Sequence, residues 1–213
     1  MPKLAWIFSL LISHSTALSA GTQEAAAMSA KPEVVVTFQP TYAGGKLKIR
    51  YSVVNKTDAP VVVFDRMRNL RTGEPDPNWA FVDIAGHTAV LKRAMEPTGG
   101  PVMMENIPEP YAREIVPGGT VAGSFTLPTP LNQSDPYGKI PKGTLLRKVE
   151  VDKMEMWVGW CPKAKLKAAS REATKIGDDL VWIPSYLDIE LVQKIAKSAP
   201  SNIRLPARAA TTP

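Results

Sequence analysis

The sequence predicts an all-β protein, an antiparallel β-sandwich with long loops and one or two short helices. Three observations predict it. Apolar and polar residues alternate with period two in several segments, turn signals recur every ten residues or so, and 20 prolines scattered through 213 residues break up long helices.

Glu33 to Phe38 and Pro60 to Phe64 are β-branched runs bounded by turn residues, which is strand composition. Between them, Leu47, Ile49, Tyr51 and Val53 share one face of a strand while Lys46, Lys48, Arg50 and Ser52 share the other. That is a strand with one wet face. Asn55-Lys56-Thr57-Asp58 then reads as a hairpin loop. Trp79 to Ile84 and Thr88 to Leu91 flank Ala85-Gly86-His87 as a second hairpin. Pro117-Gly118-Gly119 turns into a strand where Val121, Gly123, Phe125 and Leu127 alternate with Thr120, Ala122, Ser124 and Thr126. The strand from Arg147 to Trp160 changes phase midway. Val149 and Val151 share one parity, and Met154, Met156, Val158 and Trp160 the other. One extra residue near Asp152-Lys153, a β-bulge, returns both sets to a single face. Helical patterning is confined to Ala164 to Lys175 and Ile189 to Ala196, and no repeat of fixed period exists.

The run YSVVNKTDAPVVVFD, then WAFVDIAGHTAVLK, then VPGGTVAGSF resembles bacterial immunoglobulin-like accessory domains. It is similar in particular to the single-domain sandwich of the bacterial intracellular proteinase inhibitor family. There too a strand ends at an Asn, an Asp-containing turn leads into an apolar strand, and a Pro-Gly turn precedes the closing strand. The resemblance covers about residues 33–127 and implies an immunoglobulin-like fold. An export signal, the long 94–116 loop and everything after 128 depart from it, so no inhibitory function and no reactive-site residue is carried over.

The ends of the chain point to export. Lys3, an uncharged apolar run from Leu4 to Ile12, and small or polar residues to Ala20 form a secretory signal at 1–20. Nine apolar residues span about 14 Å as a helix, against roughly 30 Å of bilayer core. Cleavage after Ala17 and after Ala20 both fit. No second long apolar run follows, so no transmembrane segment is expected after signal removal. Residues 21–32 read as a flexible leader, 33–197 as the sandwich domain and 198–213 as a disordered basic tail. Removing Lys3 leaves 25 basic against 20 acidic residues, and Lys194, Lys197, Arg204 and Arg208 lie after the last acid, Glu190. The short signal and single cysteine fit a bacterial protein of the periplasm or the medium.

Scarcity of reactive side chains excludes most chemistry. Beyond the signal, His87 is the only histidine and Cys161 the only cysteine, and no Gly-x-Ser-x-Gly elbow exists. A catalytic triad, a Cys-His pair, a zinc site and a blue-copper site all need more. The glycine pairs at Gly99-Gly100 and Gly118-Gly119 match no phosphate-binding fingerprint. No catalytic residue, metal ligand or cofactor is therefore assigned. Cys161 has no partner for an internal disulfide and ends an apolar strand, so burial is expected.

Binding is the remaining function class. The Pro97 to Pro117 loop, with Met103, Met104 and Tyr111, is longer than a hairpin needs. Lys163, Lys165 and Lys167 begin a basic excursion continued by Arg171 and Lys175. These six residues, Met103 to Lys167, are the candidate binding loops of a non-enzymatic envelope protein whose ligand is another protein or the envelope surface, not nucleic acid. Two alternatives stand beside it. One is a copper carrier using Met67, Met95, Met103, Met104, Met154 or Met156 with His87, since thioethers select Cu(I). The other is a hydrolase acting through carboxylates such as Asp178-Asp179 or Glu105 and Glu109.

Overall fold

The computed structural model describes residues 31–68, 72, 74–95, 110–134, 140, 144–166, 173–176, 179–182, 189 and 191–210. The expected signal and nearly all of the leader lie outside them. In chain order the strands are β1 (Val34–Ala43), β2 (Lys46–Asn55), β3 (Val61–Arg68), β4 (Pro75–Asp76), β5 (Phe81–Ala85), β6 (Thr88–Arg93) and β7 (Pro110–Ile115). They continue with β8 (Thr120–Pro128), β9 (Leu131–Asn132), β10 (Leu146–Pro162), β11 (Ala173–Ile176), β12 (Asp179–Trp182), β13 (Lys194–Lys197) and β14 (Ser201–Ala210).

These strands form two sheets, which is the all-β architecture that the alternation predicts. In the smaller sheet, β2 lies between β1 and β8, all antiparallel. The larger sheet is built around β10, a 17-residue strand that pairs in turn with β14, β6, β13 and β3. The alternation in β2 and β8 explains how the sheets meet. Leu47, Ile49, Tyr51, Val53, Phe125 and Leu127 from the smaller sheet share one buried cluster with Val61, Leu91, Val151, Met154, Met156, Val158 and Trp160 from the larger.

The phase change in β10 sits where expected. The ladder with β14 shifts register between Val151 and Lys153, and the amides of Asp152 and Lys153 both donate to the His87 carbonyl, at 2.9 and 3.3 Å. Val151, Met154, Met156 and Val158 are all fully buried as a result. The uninterrupted run in β3 also has a structural reason. Val61 and Val63 face the main core, while Val62 and Phe64 face a second cluster with Phe81, Met95, Ala112, Cys161, Leu166 and Ile189. A strand covered on both faces reads as continuous apolar sequence.

Several expectations are corrected. The segment after Ser198 is not a disordered tail among its described residues: Ser201–Ala210 is β14, and Leu205 and Ala207 are buried against β10. Two of its inward positions, Ala207 and Ala209, are alanines, which signal little hydrophobicity yet fit the close approach of neighbouring strands. Among the described residues, the helix expected over 164–175 is replaced by a 3-10 turn at Lys163–Lys165 and by strand β11 at Ala173–Ile176. The one expected over 189–196 ends at Val192, where Gln193 N–H donates to the Ile189 carbonyl at 2.8 Å, before β13. The sheets are not wholly antiparallel, since β10 pairs parallel with β6 and β14 parallel with β9. More than fifty residues separate β6 from β10, enough chain to return in the same direction.

The Asn55 to Asp58 connection is not a hairpin either. It crosses from the smaller sheet to the larger, and the Pro117-Gly118-Gly119 turn crosses back. Asn55, fully buried, ties the two crossings together. Its side-chain amide donates to Ala59 O (2.8 Å) and Ile115 O (2.9 Å), its side-chain carbonyl accepts from Thr57 N–H (2.9 Å), and its backbone bonds Gly118 and Gly119. Gly118 has φ +72°, a conformation that only glycine adopts freely.

Candidate functional site

The alternation that buries Leu47, Ile49 and Tyr51 sends Lys46, Lys48 and Arg50 to the opposite face of β2, where all three are exposed. Strand pairing sets their neighbours. Lys48 lies between Thr41 of β1 and Thr126 of β8, Arg50 between Gln39 and Ser124, and Ser52 between Thr37 and Ala122. The cations form a row along the central strand, about 7 Å apart, with hydroxyl and amide side chains about 5 Å to either side of Lys48 and Arg50, and Ala43 and Pro128 beside Lys46. No acidic residue occurs in β1, β2 or β8. Among the described residues, no carboxylate pairs with Lys46, Lys48 or Arg50. Thr37 and Ser52 hydrogen-bond each other at 2.7 Å, beside an open groove of about 320 Å³ that Gln39 and Arg50 also line.

A buried polar network holds this face from behind. Asp65 on β3 is fully buried, and its carboxylate accepts from the Tyr51 hydroxyl at 2.7 Å and from Arg113 through Nε (3.2 Å) and Nη2. Arg113, on β7, also donates to the Ala122 carbonyl on the outer edge of β8 at 3.2 Å. Arg93, on β6, donates to the Tyr51 hydroxyl at 3.1 Å, to the Asp65 carbonyl and to the Pro77 carbonyl at 2.6 Å. Its guanidinium stacks over the Phe125 ring at 3.9 Å. Three strands of the larger sheet thus grip two strands of the smaller one. Burial, then the Asp65 charge, pushes the Tyr51 hydroxyl well above its ordinary pKa. Burial pulls Arg93 down, and Tyr51 and Asp65 oppose that. Gly123 makes room for the arrangement, because a Cβ there would stand 2.5 Å from the Tyr51 hydroxyl. The outer edge of β8 is further occupied by Asn78, whose side-chain carbonyl accepts from Thr126 N–H at 2.9 Å. Side chains that take up edge amides and carbonyls blunt strand addition.

Among the described residues, those singled out in the sequence do not assemble into a second site. Met103, Met104 and Lys167 lie outside the described residues. Tyr111 is not a loop residue: it is 3% exposed in β7, facing Arg66 of β3. Pro110–Ile115 pairs with β3, so the end of the expected loop is core strand. Lys163 bonds the Glu114 carboxylate at 2.6 Å, and Lys165 is exposed in the same 3-10 turn.

The described residues of the alternative chemistries are dispersed, and Met103 and Met104 lie outside those described. Met154 and Met156 are buried in the main core, Met67 and Met95 in the second cluster, and His87 is exposed on the β5–β6 turn with Nδ1 2.9 Å from the Glu150 carbonyl. Of the carboxylates named for a hydrolase, Glu105, Glu109 and Asp178 lie outside the described residues. No group of three or more His, Cys, Asp or Glu comes together among those described. Cys161 is fully buried, as expected, and burial pushes its thiol up to about 12. No described helix is long and apolar enough to cross a membrane.

Sequence reasoning identified the wet faces of β2 and β8 separately but missed that they merge with Thr37, Gln39 and Thr41 into one cationic surface. The shared absence of acids in the three strands was the available signal. No protein-family model, curated protein or solved structure matches the chain.

Proposed function

We propose that this is an exported, non-enzymatic β-sandwich of immunoglobulin-like type that binds an anionic component of the bacterial cell envelope through the outer face of β1, β2 and β8. One observation carries the proposal: three exposed cations in a row, with no acidic residue on the three strands that surround them. Cations on a protein surface ordinarily sit among acids, and a face of one sign raises the local concentration of opposite charge. Rigid backing supports the same view, because the Asp65 network fixes β2 and β8 and leaves little ordering to be done on binding. The signal at 1–20 supplies the compartment, and the resemblance to bacterial immunoglobulin-like accessory domains supplies a precedent for binding without catalysis.

The test is co-sedimentation of the mature protein with washed bacterial envelopes at low salt. The protein pellets with envelopes, and the Lys48→Glu/Arg50→Glu variant, folded by circular dichroism, stays in the supernatant. Equal pelleting of both proteins would refute the assignment of this face.

A further inference from the structure

The placement of the charges says more than their sign. A planar array of anions is best met by cations spread across a face, whereas here all three stand on one strand, at a pitch of about 7 Å, with neutral polar side chains on both flanks of Lys48 and Arg50 and the apolar Ala43 and Pro128 beside Lys46. That is a linear track. Its natural occupant is an extended polymer lying along β2, with its negative charges over Lys46, Lys48 and Arg50 and its own hydroxyl groups against the flanking hydroxyls and amides. Single-stranded nucleic acid is a linear polyanion as well, but its bases stack on aromatic side chains. The outward positions of the three strands bear none: the aromatic residues Phe38, Tyr42, Tyr51 and Phe125 all take the inward phase of their strands, although Tyr42, near the end of β1, is exposed.

We infer that the ligand of this face is an acidic polysaccharide, a chain of sugars bearing carboxylates, bound along the axis of β2. The inference rests on the envelope-binding proposal above and narrows it to one class of polymer.

The experiment is titration calorimetry of the mature protein with a galacturonate dodecamer, beside vesicles of phosphatidylglycerol in phosphatidylcholine and a thymidine oligonucleotide of equal charge. The galacturonate oligomer binds at 20 mM salt, and log K falls with log salt at a slope near −2, as about three contacts with a flexible polyanion give. The variant Lys46→Ser/Lys48→Ser/Arg50→Ser loses at least about 50-fold in affinity. A control on the other sheet, Lys197→Ser/Arg204→Ser/Arg208→Ser, changes it less than about threefold. Binding to vesicles alone, lost in the triple variant of β2, would overturn the polysaccharide and leave envelope binding through this face intact. Oligonucleotide bound as tightly as galacturonate would overturn it too, as would galacturonate binding that the β2 variant retains. If no anion binds and envelope co-sedimentation is also absent, both proposals fall together.

Discussion

Replacing Asp65 by alanine should be among the most damaging single substitutions in this protein. The carboxylate is fully buried and accepts three hydrogen bonds, one from the Tyr51 hydroxyl at 2.7 Å and two from the Arg113 guanidinium. Two of them come from a charged donor, and such bonds contribute about 1.5–3 kcal/mol each when formed. Removing one partner of a buried ion pair costs about 3–5 kcal/mol, because the desolvated charge stays behind. Against a total stability of roughly 5–15 kcal/mol, that is about a fifth or more. For a unit of this size it lowers the melting temperature by about 6–20 °C. Asp65→Asn keeps the volume but turns an amide N–H₂ toward Arg113, so it should destabilise nearly as much. Urea denaturation of both variants measures the effect, and a cycle with Arg113→Met isolates the pair. In the Asp65→Ala background, Arg113→Met should recover stability by removing the stranded cation. A loss below about 1 kcal/mol in both Asp65 variants, or strict additivity in the cycle, would refute the view that this network clamps the two sheets.

Four further outcomes follow from the same geometry. Trp160, 3% exposed in the main core, should lose about 3–5 kcal/mol on truncation to alanine. Trp157 is half-buried on the opposite face, with the Lys197 ammonium 4.1 Å from its ring, so Trp157→Ala should lose about 1 kcal/mol; denaturation curves showing the reverse order would mean an inverted register. The Cys161 thiol, pushed up to about 12, and the Tyr51 hydroxyl, also raised, both stay protonated in the folded state at pH values where the unfolded chain releases those protons. Stability is therefore full below about pH 9 and declines as pH rises from there toward 12, which thermal melts across that range will detect. A native thiol assay should find Cys161 unreactive until the chain unfolds. Ending the chain at Pro200 removes β14 and uncovers Leu131 and Val151, so the product should be unfolded or aggregated, by circular dichroism and light scattering, where a tail without structure would leave it unchanged.

How much was legible varies with how local the signal is. The phase change at Asp152-Lys153 is written in the spacing of Val151 and Met154, because side chains alternate strictly along a strand and any slip shows at once. The two-residue turn at Gly86-His87, with Gly86 at φ +57°, is equally local. β14 escaped notice because its inward positions include Ala207 and Ala209, whose small side chains matter only once β10 lies beside them. Tyr111 escaped because an aromatic residue in a proline-rich stretch looks the same before and after it is packed.

From the sequence alone came the strand content, the inward and outward phase of β2, β8 and β10, the burial of Cys161, and the scarcity of histidine and cysteine. These depend on composition and on neighbours within one strand. Only the tertiary structure decided that β2 and β3 belong to different sheets, that Asp65 meets Tyr51 and Arg113, and that residues 37–41, 46–52 and 120–126 share one acid-free face. Those facts join residues up to about 90 positions apart, and which strands become neighbours is set by the burial of the whole core rather than by any one segment's pattern.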